Sequence, residues 1–183
     1  VCEEHGLKYH LDGARIWNAL TAKNEDPRDY GALFDSISVC FSKGLGCPVG
    51  SVLVGNEKLI ANALRVRKVF GGGMRQSGFL AAAGSYALKN NIGRLSEDHN
   101  KAQEIGSVLS KLEFIKKVEP IETNIIIFEL DESKMASTTF LSKLEENHIS
   151  IIGMGQGKLR IVTHLDYTAE MHDHFLEILQ KIG

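Results

Sequence analysis

The chain has 183 residues, 24% of them charged, and a formal net charge of −2, so it is long enough to bury a core and has no basic excess for a polyanion. Its longest apolar runs, residues 125–128 and 51–54, fall far short of the roughly 20 residues a membrane helix needs. Nucleic acid and the bilayer are therefore excluded as expected partners. The three cysteines, Cys2, Cys40 and Cys47, form no CxxC pair and leave an odd number, which predicts reduced, intracellular thiols rather than a disulfide framework or a zinc ribbon. The sequence opens at Val1 with no initiator methionine and no targeting segment, from which removal of an upstream part is expected.

Residues 7–11 alternate apolar and polar as a strand does, and the alternation breaks at Asp12-Gly13, a turn pair that sets Asp12 at the strand's carboxyl end. A second strand is predicted over 37–41. It runs into Ser42-Lys43-Gly44-Leu45-Gly46, and residues 51–54 make a third strand, so Lys43 lies in the loop between two strands. From 57 to 70 the apolar positions Leu59, Ile60, Ala63, Leu64, Val66 and Val69 suit one helix, closed by Gly71-Gly72-Gly73. A helix over 77–90 follows, rich in small residues (Ala81, Ala82, Ala83, Gly84) that permit close packing.

The texture changes around 91–96, where Gly93 breaks the helical pattern and Ser96-Glu97-Asp98-His99 supplies a cap and an acidic first turn for a new helix. The chain is thereby expected to divide into 1–93 and 94–183. The second part should hold a helix to 112, strands at 115–118 and 125–130, and a helix over 137–147. Strands at 150–152 and 159–163 and a terminal helix over 169–182 complete it, the order of a small α+β lobe. There is no internal repeat and no low-complexity segment.

A lysine in a glycine-flanked loop after a buried strand can act as a Schiff-base residue, because a desolvated amine loses its proton more readily and becomes nucleophilic. Taken singly, Ser42-Lys43-Gly44 also describes an ordinary exposed loop lysine, Asp12-Gly13 an ordinary turn and Arg15 a surface charge. The constellation carries more than its members. Catalysis by pyridoxal 5'-phosphate (PLP) needs an amine, a carboxylate for the pyridine nitrogen, and cations for the phosphate and the substrate carboxylate. Lys43, Asp12, Arg75 and Arg160 offer these groups.

The segments His10-Leu11-Asp12-Gly13-Ala14-Arg15 and Ser38-Val39-Cys40-Phe41-Ser42-Lys43-Gly44-Leu45-Gly46-Cys47-Pro48-Val49-Gly50 resemble the two signature segments of the threonine aldolases. Gly71-Gly72-Gly73-Met74-Arg75-Gln76 and Leu159-Arg160-Ile161-Val162-Thr163-His164 resemble two more, in family order. The resemblance implies an α/β, PLP-dependent transferase-like fold of the aspartate-aminotransferase class (fold type I), with 1–93 as the C-terminal portion of the PLP-binding large domain and 94–183 as the C-terminal small domain. It implies that Asp12 bonds the pyridinium nitrogen, Arg15 lies against the ring's phenolic oxygen and Lys43 holds the cofactor covalently. Lys68 and Arg75 would stand near the cofactor, with Arg75 at the phosphate of a neighbouring subunit. A solvated helix-end charge describes Lys68 equally well. Arg160 would clamp the substrate's α-carboxylate in a bidentate fork.

The activity so implied is retro-aldol cleavage of L-threonine or L-allo-threonine, a β-hydroxy amino acid, to glycine and acetaldehyde. The implied setting is a cytoplasmic homodimer or homotetramer in threonine catabolism and glycine biosynthesis. The family's ring-stacking histidine belongs to its earlier half and matches no histidine of this chain.

Two other readings stand beside this one. The glycine-rich run 44–50 follows a strand, as a dinucleotide-binding turn does, but Pro48 and a strand-like segment follow where a helix should open. Because the resembled enzymes are about twice as long, the chain can also be read as a truncated, inactive aldolase half that serves only as a folded interaction unit. Seven histidines raise the question of a metal, yet His172 and His174 are two apart on a predicted helix and point to different faces, so no metal is expected.

Overall fold

A computed structural model describes residues 1–183, which form two compact units, Val1–Leu95 and Ser96–Gly183. The first contains β1 (His10–Gly13), α1 (Ile16–Lys23), α2 (Pro27–Leu33), β2 (Ser36–Cys40), β3 (Ser51–Gly55), α3 (Glu57–Val69) and α4 (Gly78–Asn90). Its sheet has the order β1-β2-β3, with β1 parallel to β2 and β3 antiparallel to β2. The parallel pair is joined through α1 and α2, since a parallel connection must carry the chain back along the sheet. Ile37 and Val39 of β2 are buried against Ile16 and Leu20 of α1, with Leu11, Trp17, Tyr30 and Phe34 around them.

β1 begins later than the alternation over 7–11 predicts, because its partner sets the start. Asp35, the residue before β2, accepts from the Tyr9 amide at 2.9 Å, and its own amide donates to the Tyr9 carbonyl at 2.9 Å. The ladder can open only at His10, opposite Ser36. The helices α1 and α2 are not foreseen in the sequence reading. For α2 the signal is present: Asp26 caps the helix by accepting from the Arg28 amide at 2.8 Å, and Pro27 occupies the first turn. For α1 it is absent, since Arg15 at the N-cap makes no side-chain capping bond.

One part of this unit is uncovered. Every residue of β3 is exposed, including Val52, Leu53 and Val54, and Val69 and Phe70 at the end of α3 are 75% and 85% exposed.

The second unit is built on α5 (Leu95–Leu109), β4 (Ile115–Val118), β5 (Ile125–Leu130), α6 (Ser137–Glu145), β6 (Ile152–Gly155), β7 (Lys158–Val162) and α7 (Ala169–Ile182). Its four strands are antiparallel in the order β4-β5-β7-β6. β5 alternates strictly, so Ile126, Phe128 and Leu130 enter a core with Leu159 of β7, Ile105 and Leu109 of α5, Phe140 of α6 and Phe175 and Leu179 of α7. The terminal helix occupies 169–182 as its apolar periodicity predicts. β6 and β7 sit a residue or more from the predicted 150–152 and 159–163. The tight turn Gly155-Gln156-Gly157, with φ of 83°, 53° and 73°, fixes where that hairpin folds, and two of its three positions are glycines that reach the left-handed region without strain.

Phe140 is fully buried and meets Phe128 edge-on, with ring centroids 6.1 Å apart. Phe140→Ala should therefore destabilise this unit by about 3–5 kcal/mol through lost transfer energy and a residual cavity. Chemical denaturation followed by circular dichroism checks it; a loss below about 1 kcal/mol would mean that the core closes over the gap.

Polar ties complete the unit. His172 of α7 is buried and shares a hydrogen bond of 2.8 Å with Glu104 of α5 and one of 3.2 Å with the Tyr167 hydroxyl. No helix of the chain is long and apolar enough to cross a membrane.

Candidate functional site

Asp12 pairs in register with Ser38, and because β1 and β2 are parallel their carboxyl ends lie side by side. Strand alternation buries Gly13 and leaves Asp12 exposed. Gly13 is required where it is: a Cβ there would stand 2.8 Å from the Ser38 carbonyl oxygen. Asp12 Oδ1 accepts from the Ala14 amide at 3.1 Å, an Asx turn that leads into α1 and sets the half-buried Arg15 at that helix's N-cap.

Lys43 lies in the loop that follows Cys40, the last residue of β2. That loop closes on itself. The Phe41 amide donates to the Gly50 carbonyl at 3.0 Å, Cys47 to Phe41 at 3.0 Å and Gly46 to Lys43 at 2.9 Å. Its apolar residues point inward: Leu45 and Cys47 pack with Ala87 and Leu95, and Trp17, Phe41, Ala83 and Ile92 lie against them. Burial pushes the Cys47 thiol up from its ordinary value. Lys43 itself is exposed, between this buried anchor and the strand end.

Two residues that sequence reasoning missed hold the loop. Gly44 is packed so that a Cβ would meet Asn18 Oδ1, on α1, at 2.6 Å. Asn91, the C-cap of α4, donates from Nδ2 to the Leu45 carbonyl at 2.7 Å. Nothing local could announce an acceptor 46 residues away.

The run 44–50 passes into β3, not into a helix, so it lacks the geometry of a dinucleotide-binding turn.

The other candidates are placed as follows. Lys68 is exposed in the last turn of α3, Arg75 is exposed in the turn before α4, and neither is bonded to Asp12 or Lys43. Arg160 lies in the second unit, on β7, opposite Ile127 and Ile152. Its Nε is buried with no hydrogen-bond partner, and its side chain lines a cavity of about 430 Å³ together with Ile151, Tyr167 and Phe175. The structure thus brings Asp12, Arg15 and Lys43 to one end of one sheet.

A sequence profile for beta-eliminating lyases matches residues 1–133. The chain belongs to the beta-eliminating lyase family. It is similar to low-specificity L-threonine aldolase 1 of Arabidopsis thaliana, at 39% identity over 183 residues, covering 99% of this chain and 51% of that protein. The chain spans about half the length of the curated relatives it matches.

Among solved structures, a threonine aldolase of Leishmania major aligns with a TM-score of 0.74 at 23% identity, over 99% of this chain and 53% of that one. A histidinol-phosphate aminotransferase of Clostridium acetobutylicum aligns with a TM-score of 0.69 at 15% identity, over 99% and 55%. At such identities the likeness carries the fold. The chain has the mixed α/β, fold-type-I architecture seen in that aminotransferase and that threonine aldolase.

Proposed function

We propose that this beta-eliminating lyase chain carries the lysine-bearing part of a PLP-dependent aldehyde-lyase that cleaves L-threonine and L-allo-threonine to glycine and acetaldehyde. The observation that supports it most is the placement of Asp12 and Lys43 at the shared carboxyl end of two parallel strands, where open α/β sheets bind ligands.

The donor set suits PLP. One oxygen of Asp12 is taken by the Ala14 amide, and the other is left for the pyridine nitrogen. Lys43 presents an exposed amine to the aldehyde carbon, and Arg15 stands at the turn beside Asp12 for the phenolic oxygen. Lys68 and Arg75 are the cations assigned to the cofactor's surroundings, Arg75 serving the phosphate in a neighbouring subunit of a homodimer or homotetramer. Residues 1–93 are read as the end of the large domain and 94–183 as the small domain of a cytoplasmic enzyme of threonine catabolism and glycine biosynthesis.

When bound, PLP supplies a sink for the electron pair released as the substrate's Cα–Cβ bond breaks. The chain's residues do the rest. The Asp12 carboxylate keeps a proton on the ring nitrogen, since a negative charge beside it favours the protonated form. Arg160, whose Nε has no partner in the protein, is the group assigned to donate to the substrate's α-carboxylate. Lys43 Nζ is the amine that would hold the cofactor and that would give way to the substrate's amino group.

Borohydride reduction of the full-length protein with PLP, followed by peptide mapping, and an acetaldehyde assay with threonine test the proposal together. A reduced adduct on Lys43 with acetaldehyde released supports it; label elsewhere, or no aldehyde from either threonine isomer, overturns it. Arg160→Lys replaces a planar fork by a point charge. The KM for threonine should rise by about tenfold or more, because a charge-assisted hydrogen bond is lost. PLP affinity should not change, and a variant that loses cofactor while keeping substrate affinity would show Arg160 to be misplaced.

A further inference from the structure

We infer that Asn91 is a positioning residue for Lys43, acting through the carbonyl of Leu45; the inference rests on the reading of Lys43 as the cofactor-bearing amine. The loop 41–50 has little regular structure to hold it. Three amide bonds within the loop close it, and they fix its shape without attaching it to the rest of the unit. Attachment comes from the buried Leu45 side chain, the close approach of Gly44 to Asn18, and the 2.7 Å bond from Asn91 Nδ2 to the Leu45 carbonyl.

Of these, the Asn91 bond has a fixed direction. Apolar packing of Leu45 resists withdrawal but permits rotation, since dispersion is nearly non-directional. A part-buried amide donor on a carbonyl holds the peptide plane. Leu45 is separated from Lys43 only by Gly44, so a change in the angle of the Leu45 peptide is passed to Lys43 across a single residue. Asn91 is itself fixed, because its backbone amide donates to the Ala87 carbonyl at 2.8 Å at the end of α4. A rigid helix end thereby sets the angle at which Lys43 leaves the loop. No group of Asn91 need touch cofactor or substrate.

The test uses the full-length enzyme with Asn91→Ala and Asn91→Asp. The aspartate keeps the size and removes the donor, so it serves if the alanine variant does not fold. The rate at which PLP becomes borohydride-reducible on Lys43 is measured in each, beside the parent. A fall of about tenfold or more is expected, the effect of a misplacement well under an ångström or so on a bond-forming amine. Lys43→Ala supplies the second arm: in that background Asn91→Asp should leave PLP affinity unchanged, because the residue acts through Lys43. An unchanged trapping rate, or an equal loss of PLP affinity with and without Lys43, overturns the inference and leaves Asn91 a plain structural cap. If the parent itself traps no PLP on Lys43, it is the functional reading beneath the inference that fails.

Discussion

Lys43→Ala is expected to leave the full-length enzyme with no measurable threonine cleavage, the largest effect of any single substitution proposed. The structure gives the reason in terms of access. Lys43 is exposed beyond β2, whereas its loop neighbours Leu45 and Cys47 are buried and supply no amine. A substitute would have to be another lysine, and Lys68 stands in the last turn of α3 with no bond to this loop. The variant should still fold, because the exposed side chain contributes nothing to the buried cluster under the loop. Circular dichroism like that of the parent together with absent acetaldehyde release is the expected pair of results. Aldol cleavage within a factor of a few of the parent would sink the assignment of Lys43.

Asp12→Asn should follow closely in size. The Ala14 amide is bonded by Oδ1, a bond that asparagine makes equally well, so the turn into α1 and the placement of Arg15 survive the change. What disappears is the negative charge, and with it the preference for a protonated ring nitrogen. Turnover should drop by about 10²–10³, the usual cost of deleting one preorganised electrostatic partner. The visible absorbance of the lysine-bound cofactor should persist. This substitution separates two roles the structure allows one residue to hold: a variant with full activity would reduce Asp12 to the residue of an Asx turn.

How far these positions were readable depends on the range of the interactions that fix them. The strand over 37–41, the lysine loop and the helix over 169–182 are local patterns of period and glycine, and they appear where the periodicity sets them, within a residue. β1 was displaced because its start depends on Asp35, far along the chain, which bonds both the amide and the carbonyl of Tyr9. α1 offers no cap to read, and its helicity comes from Ile16 and Leu20 packing on β2, a tertiary cause. Asp26-Pro27 was readable and was passed over. The candidate site residues were named from sequence because they sit in short segments that resemble those of the threonine aldolases, whereas singly each also reads as a turn or a surface charge. Asn18 and Asn91 were not, because an anchor is defined only by what it holds, and both hold a loop distant in sequence.

The exposed third strand bears on how a cell handles this polypeptide. Val52, Leu53 and Val54 form an uncharged, proline-free β-run flanked by Ser51 and Gly55, and the first charges after it are Glu57 and Lys58. Such a run has no gatekeeper residue within its own span, and its free edge can template pairing with any other extended chain. Exposed in this way, such a run is a predicted seed for co-aggregation, and the exposed apolar end of α3 enlarges the same liability. The sheet that carries the candidate site at one end thus presents an aggregation-prone strand along its exposed β3.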